Sequence, residues 1–246
     1  RIKLDENIHG LGFLDQAAEE LIAGAAGVLM PRYFSPRRYE HIASLARDHF
    51  PKLKTRYAYR GKARQIELFN RASIPHPATA VLDSPEAVRT SCRSGELPMG
   101  FPFVLKGDSG GGGSAVFPIE SLAQLDQALD CLPVDEPVLI QEWIDHGGRD
   151  LRVVVMGGLV TSYFRVGILP FYNNVSKGAQ VDHRLDPKLQ RQGRELAMDI
   201  SQVTGIDLAA FDIMFPPSGP PLVVEVNFMF GTKGLGGSKG YQAMFR

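Results

Sequence analysis

The feature that most constrains the fold is a pair of apolar runs in the last quarter of the chain. They cover residues 208–215 and 222–230, and the tract Pro-Pro-Ser-Gly-Pro-Pro between them breaks any regular element. This pattern predicts a β-hairpin with a long connecting loop. Each run carries an ionisable residue where an interior strand is ordinarily apolar, Asp212 in the first and Glu225 in the second. Pairing of the two strands would place these carboxylates opposite one another.

Asn227 adds a third oxygen-bearing side chain to the predicted hairpin. Side chains two residues apart on a strand point to the same face, so Asn227 should lie beside Glu225. The other face would then carry Val224, Val226 and Phe228. Two carboxylates and an amide are the ligands that hard divalent cations such as Mg²⁺ prefer. A solvated strand face is the alternative, and the hairpin by itself does not decide between the two.

Composition narrows the class of protein. The chain has 246 residues, 44% of them hydrophobic and 22% charged, which is typical of a globular protein of one or two domains. Its 27 basic and 27 acidic residues cancel, and this argues against nucleic acid or an anionic membrane as the main partner. No apolar run reaches the ~18 residues that a membrane-spanning helix needs. The two cysteines have no paired spacing, so a cytoplasmic location is predicted.

A glycine-rich segment, FPFVLKGDSGGGGSAVF, is the second feature with chemical content. It predicts a strand over 101–105 with Lys106 at its end, a glycine loop over 110–113, and a second strand over 114–117. Consecutive glycines give up side-chain packing and let exposed N–H groups approach a ligand closely, as a loop that covers phosphates requires. A hairpin turn without a ligand is the alternative. The lysine beside the glycines favours the phosphate interpretation.

Charged side chains also occur on a predicted hairpin over residues 149–167, which turns at a Gly-Gly pair. Asp150 and Arg152 share one face of its first strand, and Arg165 lies on the second. Such residues ordinarily form an ion pair across the sheet. Their proximity to a candidate cation site makes a role in chemistry the competing interpretation.

The rest of the chain predicts helices alternating with short strands. Residues 1–60 predict a small, shortened α/β segment, in which Ser35 caps a helix that should reach about His49. Lys62 begins a later helix, and a merely solvated lysine there is as consistent with the sequence as one that binds a ligand. The sequence begins with Arg1 and not with Met, which leaves open whether it is a fragment of a longer protein.

These parts follow one another in a recognisable order: a helix that starts with lysine, a strand-Lys-glycine loop-strand unit, a strand ending Gln-Glu-Trp-Ile, Asp-x-Arg, a strand arginine, and Asp…Glu-x-Asn. The order resembles the ATP-grasp ligases, and among them the RimK-like branch that contains glutathione synthetases and the enzymes that add glutamate to ribosomal protein tails. The resemblance covers residues 61–231. Its most specific segments are VLIQEWIDHGGRDLRVVVMGG and LVVEVNFMFG.

The resemblance implies an α+β ATP-grasp fold in which two α+β subdomains clasp the nucleotide. The first subdomain would cover residues 61–143 with the glycine loop, and the second would cover 144–246 with the metal site. A truncated α/β segment over residues 1–60, the remnant of the domain that precedes the grasp fold, would come before them.

The resemblance also implies roles for single residues. ATP phosphates would be bound by Lys62, Lys106 and a flap made of Gly110, Gly111, Gly112 and Gly113. The adenine slot would be lined by Gln141, Glu142, Trp143 and Ile144, with Asp150 near the ribose and Asn174 near a phosphate or metal. Arg152 and Arg165 would lie near the γ-phosphate and the acyl phosphate, so that with Lys106 they are the catalytic candidates. One or two Mg²⁺ ions would be held by Asp212, Glu225 and Asn227.

The implied activity is an ATP-dependent carboxylate–amine ligase that works through an acyl phosphate, with amino acids or peptides as substrates. Two alternatives remain open, an ATP-grasp kinase or phosphotransferase and a non-catalytic nucleotide-binding module. The complete Asp212, Glu225 and Asn227 set argues against the module, since binding alone does not need all three.

Two departures from the family pattern limit what the resemblance implies. Gly61 precedes Lys62 where an acidic residue is commoner, and Phe-Met-Phe-Gly follows Asn227 where small polar residues and proline are usual. Because part of the acceptor site is built from that second segment, the resemblance does not identify the acid or the amine. The oligomeric state is likewise left open.

Overall fold

The computed structural model of this protein describes residues 14–31, 34–111, 113–167 and 178–244. Within these ranges the helices are α1 (Gln16–Gly24), α2 (Pro36–Leu45), α3 (Lys54–Ala58), α4 (Lys62–Arg71), α5 (Pro85–Ser94), α6 (Leu122–Asp130), α7 (Pro187–Thr204) and α8 (Gly237–Ala243), with a short 3₁₀ helix at Lys233–Leu235. The strands are β1 (Val28–Leu29), β2 (His49–Phe50), β3 (Thr79–Leu82), β4 (Phe103–Gly107), β5 (Val116–Ile119), β6 (Val138–Glu142), β7 (Arg149–Met156), β8 (Leu159–Val166), β9 (Gln180–Asp182), β10 (Leu208–Met214) and β11 (Leu222–Asn227).

The strands form two antiparallel sheets and one short parallel pair. One sheet has four strands in the order β3-β6-β4-β5, and the other has five in the order β11-β10-β7-β8-β9. Strands β1 and β2 pair in parallel near the amino end of the described chain. Separate antiparallel sheets covered by helices define an α+β protein, as the sequence predicts. No helix in the described ranges is long and apolar enough to cross a membrane.

The hairpin predicted for the last quarter of the chain is present as β10 and β11. The strands are antiparallel, and Asp212 is the direct partner of Glu225. One register step further, Ile213 pairs with Val223, so Val224 is an extra residue in β11 and forms a β-bulge. The prediction that Val224 shares a face with Val226 is therefore wrong. Val226 and Val223 are buried in the core, whereas Val224 lines a cavity on the other side of the sheet.

Helix α7 covers the inner part of the five-stranded sheet. It begins after Asp186, whose side chain accepts a hydrogen bond from the N–H of Leu189, and it packs against β7 and β8. Gly193 lies at the closest approach, because a Cβ atom there would come within 2.3 Å of Leu151 Cδ2. This packing leaves the opposite face of the sheet to the charged residues of β7, β8 and β10.

The four-stranded sheet is covered by α5 and α6. Both helices begin after a capping serine, with Ser84 Oγ accepting from the Ala87 N–H and Ser121 Oγ from the Gln124 N–H. Their apolar faces bury Val88, Leu125 and Leu129 against the sheet. Strand β4 runs through Gly107, so Lys106 lies within the strand and not after it, and β5 begins at Val116 instead of residue 114.

Hydrogen bonds hold the segment before α4 to the end of α7 and to the residue that precedes β10. Lys52 N donates to Asp207 Oδ1 at 2.8 Å, and Thr55 Oγ1 donates to the Thr204 carbonyl at 2.7 Å. The prediction that α2 reaches about His49 is wrong: the helix ends at Leu45, and His49 belongs to β2 because it pairs in parallel with Val28. The domain boundaries at residues 60/61 and 143/144 stay predictions.

Candidate functional site

A cavity of about 600 Å³ is lined by residues of both sheets. It brings together the described residues that the sequence singles out: Lys62, Lys106, Gly110, Gly111, Gly113, Gln141, Glu142, Trp143, Ile144, Asp150, Arg152, Arg165, Asp212, Glu225 and Asn227. Two other predicted site residues, Gly112 and Asn174, lie outside the described residues. Residues from positions 62 to 227 thus meet around one space.

The three oxygen-bearing residues of the hairpin lie together on the cavity wall. Asn227 Nδ2 donates to Asp212 Oδ2 at 3.0 Å and makes a longer contact of 3.5 Å with Glu225 Oε2. Among the described residues, that long contact is the one hydrogen bond that the Glu225 carboxylate receives. Within the described ranges no group of three or more His, Cys, Asp or Glu side chains is arranged to hold a metal ion. A cation at this point of the cavity would therefore be held by two carboxylates and the Asn227 amide, an oxygen set that suits Mg²⁺.

Two arginines lie against Asp212 and Asp150 in a buried ion-pair network. Arg152 donates through Nε and Nη2 to the two oxygens of Asp212, both at 2.8 Å. Arg165 makes the same two-pronged contact with Asp150 at 2.7 and 2.5 Å, and its Nη2 lies 3.1 Å from Asp212 Oδ2. This pairing compensates charges that would be costly to bury alone. It also fixes the guanidinium planes toward the cavity, because bidentate contacts set orientation as well as distance.

The electrostatics of the network keep its carboxylate at the hairpin ionised. Burial alone would raise the pKa of Asp212, but the positive charges of Arg152 and Arg165 outweigh it and lower the pKa to about 2. Burial alone would lower the pKa of Arg165, but the negative charges of Asp212 and Asp150 outweigh it and raise that pKa. The site therefore holds a permanent negative charge at Asp212 and two permanent positive charges beside it.

Lys106 is the buried cation on the side of the four-stranded sheet. Lys106 is 7% exposed. Within the described ranges no carboxylate oxygen lies within 4.0 Å of its ammonium group. Burial lowers the pKa of Lys106 to about 8, against the opposing influence of Glu225. A lysine that is held in the cavity wall without a close counter-ion is suited to bind an anionic ligand.

Lys62 is fixed at the edge of the glycine loop. Its Nζ atom donates to the Gly110 carbonyl at 3.2 Å and to the Asp108 carbonyl at 3.4 Å. Main-chain carbonyls carry no net charge, so neither contact is an ion pair, and Lys62 lines the cavity. The structure thus places two lysines, Lys62 and Lys106, in the cavity wall together with the start of the loop.

The end of β6 forms another part of the wall. Gln141 Nε2 donates to Thr79 Oγ1 at 2.8 Å, and the Glu142 N–H donates to the Ala78 carbonyl at 2.8 Å. These bonds tie β6 to the β3 side of the sheet, so that the chain leaves β6 along the cavity. Trp143 and Ile144 follow directly and line it. Such a strand end presents main-chain groups and apolar surface together, which a flat heteroaromatic ring requires.

Several cavity residues were not found by sequence reasoning. Tyr163 is 1% exposed and lies two residues before Arg165 on β8, so strand alternation could have placed it on the same face. Met214, Lys233 and Gly234 also line the cavity. A Cβ atom at Gly234 would lie 2.2 Å from the Tyr163 ring. Glycine at this position therefore lets the final segment, which contains Lys233 and Gly234, pack against β8. No sequence signal indicated the path of this segment.

The family follows from these features and from comparison with known proteins. Residues 59–243 match the family model for the RimK-like ATP-grasp domain. The chain therefore belongs to the RimK-like ATP-grasp family. It is similar to the protein named probable alpha-L-glutamate ligase 2 of Hahella chejuensis, with 33% identity over 186 residues that cover 72% of this chain and 57% of that protein. The chain thus spans little more than half the length of that curated relative.

Solved structures confirm the fold. The RimK domain ATP-grasp protein of Sphaerobacter thermophilus superposes with a TM-score of 0.61 at 21% identity, over 85% of this chain and 76% of that one. The carboxyaminoimidazole ribonucleotide synthase of Aspergillus clavatus, solved in complex with ATP, gives a TM-score of 0.61 at 16% identity, over 87% of this chain and 56% of that one. The predicted ATP-grasp fold is therefore confirmed.

Proposed function

We propose that this protein is an ATP-dependent carboxylate–amine ligase that acts on amino acids or peptides through an acyl phosphate. The observation that carries the proposal is the single cavity in which lysines, paired arginines and an oxygen cluster face one another. Cations on one side suit a triphosphate, and the oxygen cluster suits the divalent ion that accompanies it. Membership of the RimK-like ATP-grasp family, and the name of the relative in Hahella chejuensis as a glutamate ligase, support the same activity.

The nucleotide would lie between the two sheets. Lys62, Lys106 and the glycine loop over 110–113 would bind its phosphates through ammonium and main-chain N–H groups. The end of β6, from Gln141 to Ile144, would take the adenine ring. Asp150 would act on this ligand indirectly, because both of its oxygens accept from Arg165.

The oxygen cluster fits Mg²⁺ in charge and in ligand type. Asp212 stays anionic because its pKa is lowered to about 2, and the Glu225 carboxylate receives only one long contact among the described residues. Asn227 donates through its amide nitrogen, so its amide oxygen is the atom available to a cation. When bound, Mg²⁺ would neutralise charge on the β- and γ-phosphates and align them.

The proposed reaction has two steps. A substrate carboxylate attacks the γ-phosphorus, the bond to the ADP oxygen breaks, and an acyl phosphate forms. An amine then attacks the acyl carbon, inorganic phosphate leaves, and the amine nitrogen loses a proton to give the amide. Arg152 and Arg165 would stabilise the charge that develops on the transferred group. The loop over 110–113 would exclude water, which otherwise hydrolyses the acyl phosphate.

Three residues of the cavity lining give the proposal its substrate class. Met229, Phe230 and Lys233 combine apolar surface with one positive charge. A substrate with an aliphatic stem and a free carboxylate, such as an acidic amino acid or the end of an acidic peptide, matches that chemistry. A cytoplasmic location, with neither nucleic acid nor a membrane as partner, belongs to the same proposal.

An ADP-release assay over a panel of amino acids and acidic peptides tests the activity. We expect release to require both a carboxylate and an amine, with a mass increase in the product that corresponds to one new amide bond. Release that needs only one substrate, with transfer of phosphate to it, would identify a phosphotransferase instead. ATP binding without turnover on any pair would identify a non-catalytic module.

The variant Glu225→Ala tests the oxygen cluster within that assay. We expect turnover to fall by more than about a hundredfold, because the cation loses one of its two carboxylates. The fold should be retained, since the Glu225 side chain is half-buried and receives one long contact among the described residues. A far-ultraviolet circular dichroism spectrum is the control. Near wild-type turnover in this variant would contradict the cation site.

A further inference from the structure

Asp108 connects the start of the glycine loop to helix α4, and none of the roles above uses it. Its Oδ1 atom accepts a hydrogen bond from the Ala63 N–H at 2.7 Å. This N–H belongs to the first turn of α4, where backbone donors have no partner inside the helix. The N-cap residue of α4 is Gly61, which has no side chain to supply the bond. Asp108 therefore caps α4 from a distant part of the sequence, with its negative charge at the positive end of the helix dipole.

The position of the Asp108 carboxylate depends on Gly61. Gly61 has φ +87°, a conformation that side chains disfavour, and a Cβ atom there would lie 2.3 Å from Asp108 Oδ2. The carboxylate occupies the space that any larger residue at position 61 would fill. Gly61 and Asp108 thus form a matched pair.

Main-chain bonds strengthen the same junction. The Lys62 N–H lies 3.4 Å from the Asp108 carbonyl, and Lys62 Nζ donates to both the Asp108 and Gly110 carbonyls. On its other side the loop start is bonded to the residues before β6, where the Asp108 N–H donates to the Pro137 carbonyl. The first residues of the loop are therefore held between α4 and the four-stranded sheet.

Helix α4 carries this contact to the oxygen cluster. One turn after the cap, Gln65 Nε2 donates to the Val226 carbonyl, and the Val226 N–H donates to Gln65 Oε1, both at 2.9 Å. Val226 is the residue between Glu225 and Asn227 on β11. The other face of α4 buries Ile66 and Phe69 in the core that contains Val226. One helix thus joins the loop to the strand that holds two of the three oxygen-bearing side chains.

We propose that Asp108 is a positioning residue that clamps the glycine loop to α4 and so sets the distance between the loop and the oxygen cluster on β11. The proposal rests on the proposed function, in which the loop covers the phosphates of a nucleotide whose metal ion is bound at β11. Asp108 acts through Lys62 and the loop, and its carboxylate binds backbone, not substrate.

Three variants test the clamp through the affinity for ATP. Asp108→Ala should raise the Kd for ATP about fivefold to tenfold, the size expected from losing a helix cap that the ligand needs in place. It should raise the KM for ATP in the same proportion and change the KM for the amine less than twofold. Asp108→Asn keeps an oxygen that can accept from Ala63, so its Kd should stay within twofold of wild type. Asp15→Ala removes the equivalent cap of α1, where Asp15 accepts from the Ala18 N–H at 2.9 Å, and it should lower Tm without changing the Kd.

Amide hydrogen exchange without nucleotide tests the clamp independently of ATP. In Asp108→Ala the amides of residues 61–65 and 108–111 should both exchange faster than in wild type. Failure of wild-type protein to bind ATP would refute the proposed function, and the exchange measurement would still decide the clamp. Unchanged exchange in both segments overturns the clamp. An unchanged Kd in Asp108→Ala at a lowered Tm, as in the Asp15→Ala control, reduces Asp108 to a structural cap and also overturns it.

Discussion

At the scale of one residue, Asp212 belongs both to the buried ion-pair network and to the oxygen cluster of the proposed cation site. Its Oδ2 atom accepts from Arg152, Arg165 and Asn227, whereas its Oδ1 atom accepts from Arg152 alone among the described residues. A carboxylate oxygen accommodates about two donors, so Oδ2 is saturated and Oδ1 is not. In the proposed complex the arginines would exchange Asp212 for phosphate oxygens of the nucleotide, since guanidinium groups bind both bidentately. Arg152 and Arg165 of the ion-pair network would therefore supply positive charge to the proposed reaction.

Lys106 gives the first prediction at this scale, a pH dependence. Burial lowers its pKa to about 8, so the ammonium form is lost as the pH rises through that value. A neutral amine binds phosphate less well, and we expect the affinity for ATP to fall between pH 7 and pH 9 in wild-type protein. In Lys106→Arg the cation persists to far higher pH, and the decline should be absent. Titration calorimetry with ATP at pH 7, 8 and 9 measures both proteins.

The same group makes an opposite contribution to stability. Its pKa in the folded protein lies below the ordinary value near 10.5, so the unfolded chain binds more protons between about pH 8 and pH 10.5, and the Lys106 contribution to the free energy of unfolding increases with pH there. Urea unfolding of wild type and Lys106→Met at pH 7.5 and 9.5 separates this contribution from that of other groups. If the free energy of unfolding depended on pH equally in the two proteins, the pKa of Lys106 would not be lowered in the folded protein.

At the scale of elements, most of the fold could be predicted because local chemistry decides it. Ser35 caps α2 where the sequence predicts it, since a side-chain oxygen beside the first turn is a local signal. The hairpin register was predictable as well, because Asp212 and Glu225 interrupt otherwise apolar runs. The residues of the candidate site came from the hairpin, from the glycine-rich segment and from the resemblance to the ATP-grasp ligases, and those that the structure describes line one cavity.

The elements that could not be predicted depend on long-range contacts. Strand β2 exists because His49 and Phe50 pair with β1, and nothing local distinguishes them from the end of α2. Strand β9, only three residues long, is defined by pairing with β8. The bulge at Val224 likewise shifts the alternation of β11 without a glycine or proline to mark it. No local residue preference marks the two short strands or the bulge, and pairing with distant strands determines them.

The final segment gives a prediction at the element scale. Gly234 lies so close to Tyr163 that a Cβ atom would come within 2.2 Å of its ring. Gly234→Ala should therefore push the segment that contains Lys233 away from β8 and cost about 1–3 kcal/mol of stability. We expect the KM for the carboxylate-bearing substrate to rise at least threefold while the KM for ATP changes little. Steady-state kinetics with each substrate varied in turn measures the difference.

Gly24→Ala is the matched control for that variant. Nothing lies within 4 Å of a Cβ atom at Gly24, which ends α1 far along the sequence from the cavity residues. Both KM values should be unchanged there, and Tm should not fall, because alanine has the higher helix propensity. If Gly234→Ala leaves both KM values unchanged, as this control should, the final segment does not shape the part of the cavity that binds the carboxylate-bearing substrate.

At the scale of the whole molecule, the cavity is a place where the two sheets face a common space. Residues of β4 and β6 line it from one sheet, and residues of β7, β8, β10 and β11 line it from the other. Helix α4 also bonds to Asp108, the residue after β4, and to Val226 in β11. A ligand that fills this cavity would contact both sheets at once, so its binding free energy should add to the stability of the entire fold and not of one half.

Thermal unfolding tests that consequence. At an ATP concentration about one hundred times its Kd, binding contributes about 2.7 kcal/mol, which for a chain of this length corresponds to a rise in Tm of about 5–10 °C. The rise should be larger with Mg²⁺ than with a chelator, and this metal-dependent part should be absent in Glu225→Ala, which lacks a carboxylate of the oxygen cluster. Adenosine, which offers no phosphates to Lys106, Lys62 or the glycine loop, should give a much smaller rise. Equal shifts with adenosine and ATP would place the binding energy in the base alone and contradict the assignment of the two lysines to the phosphates.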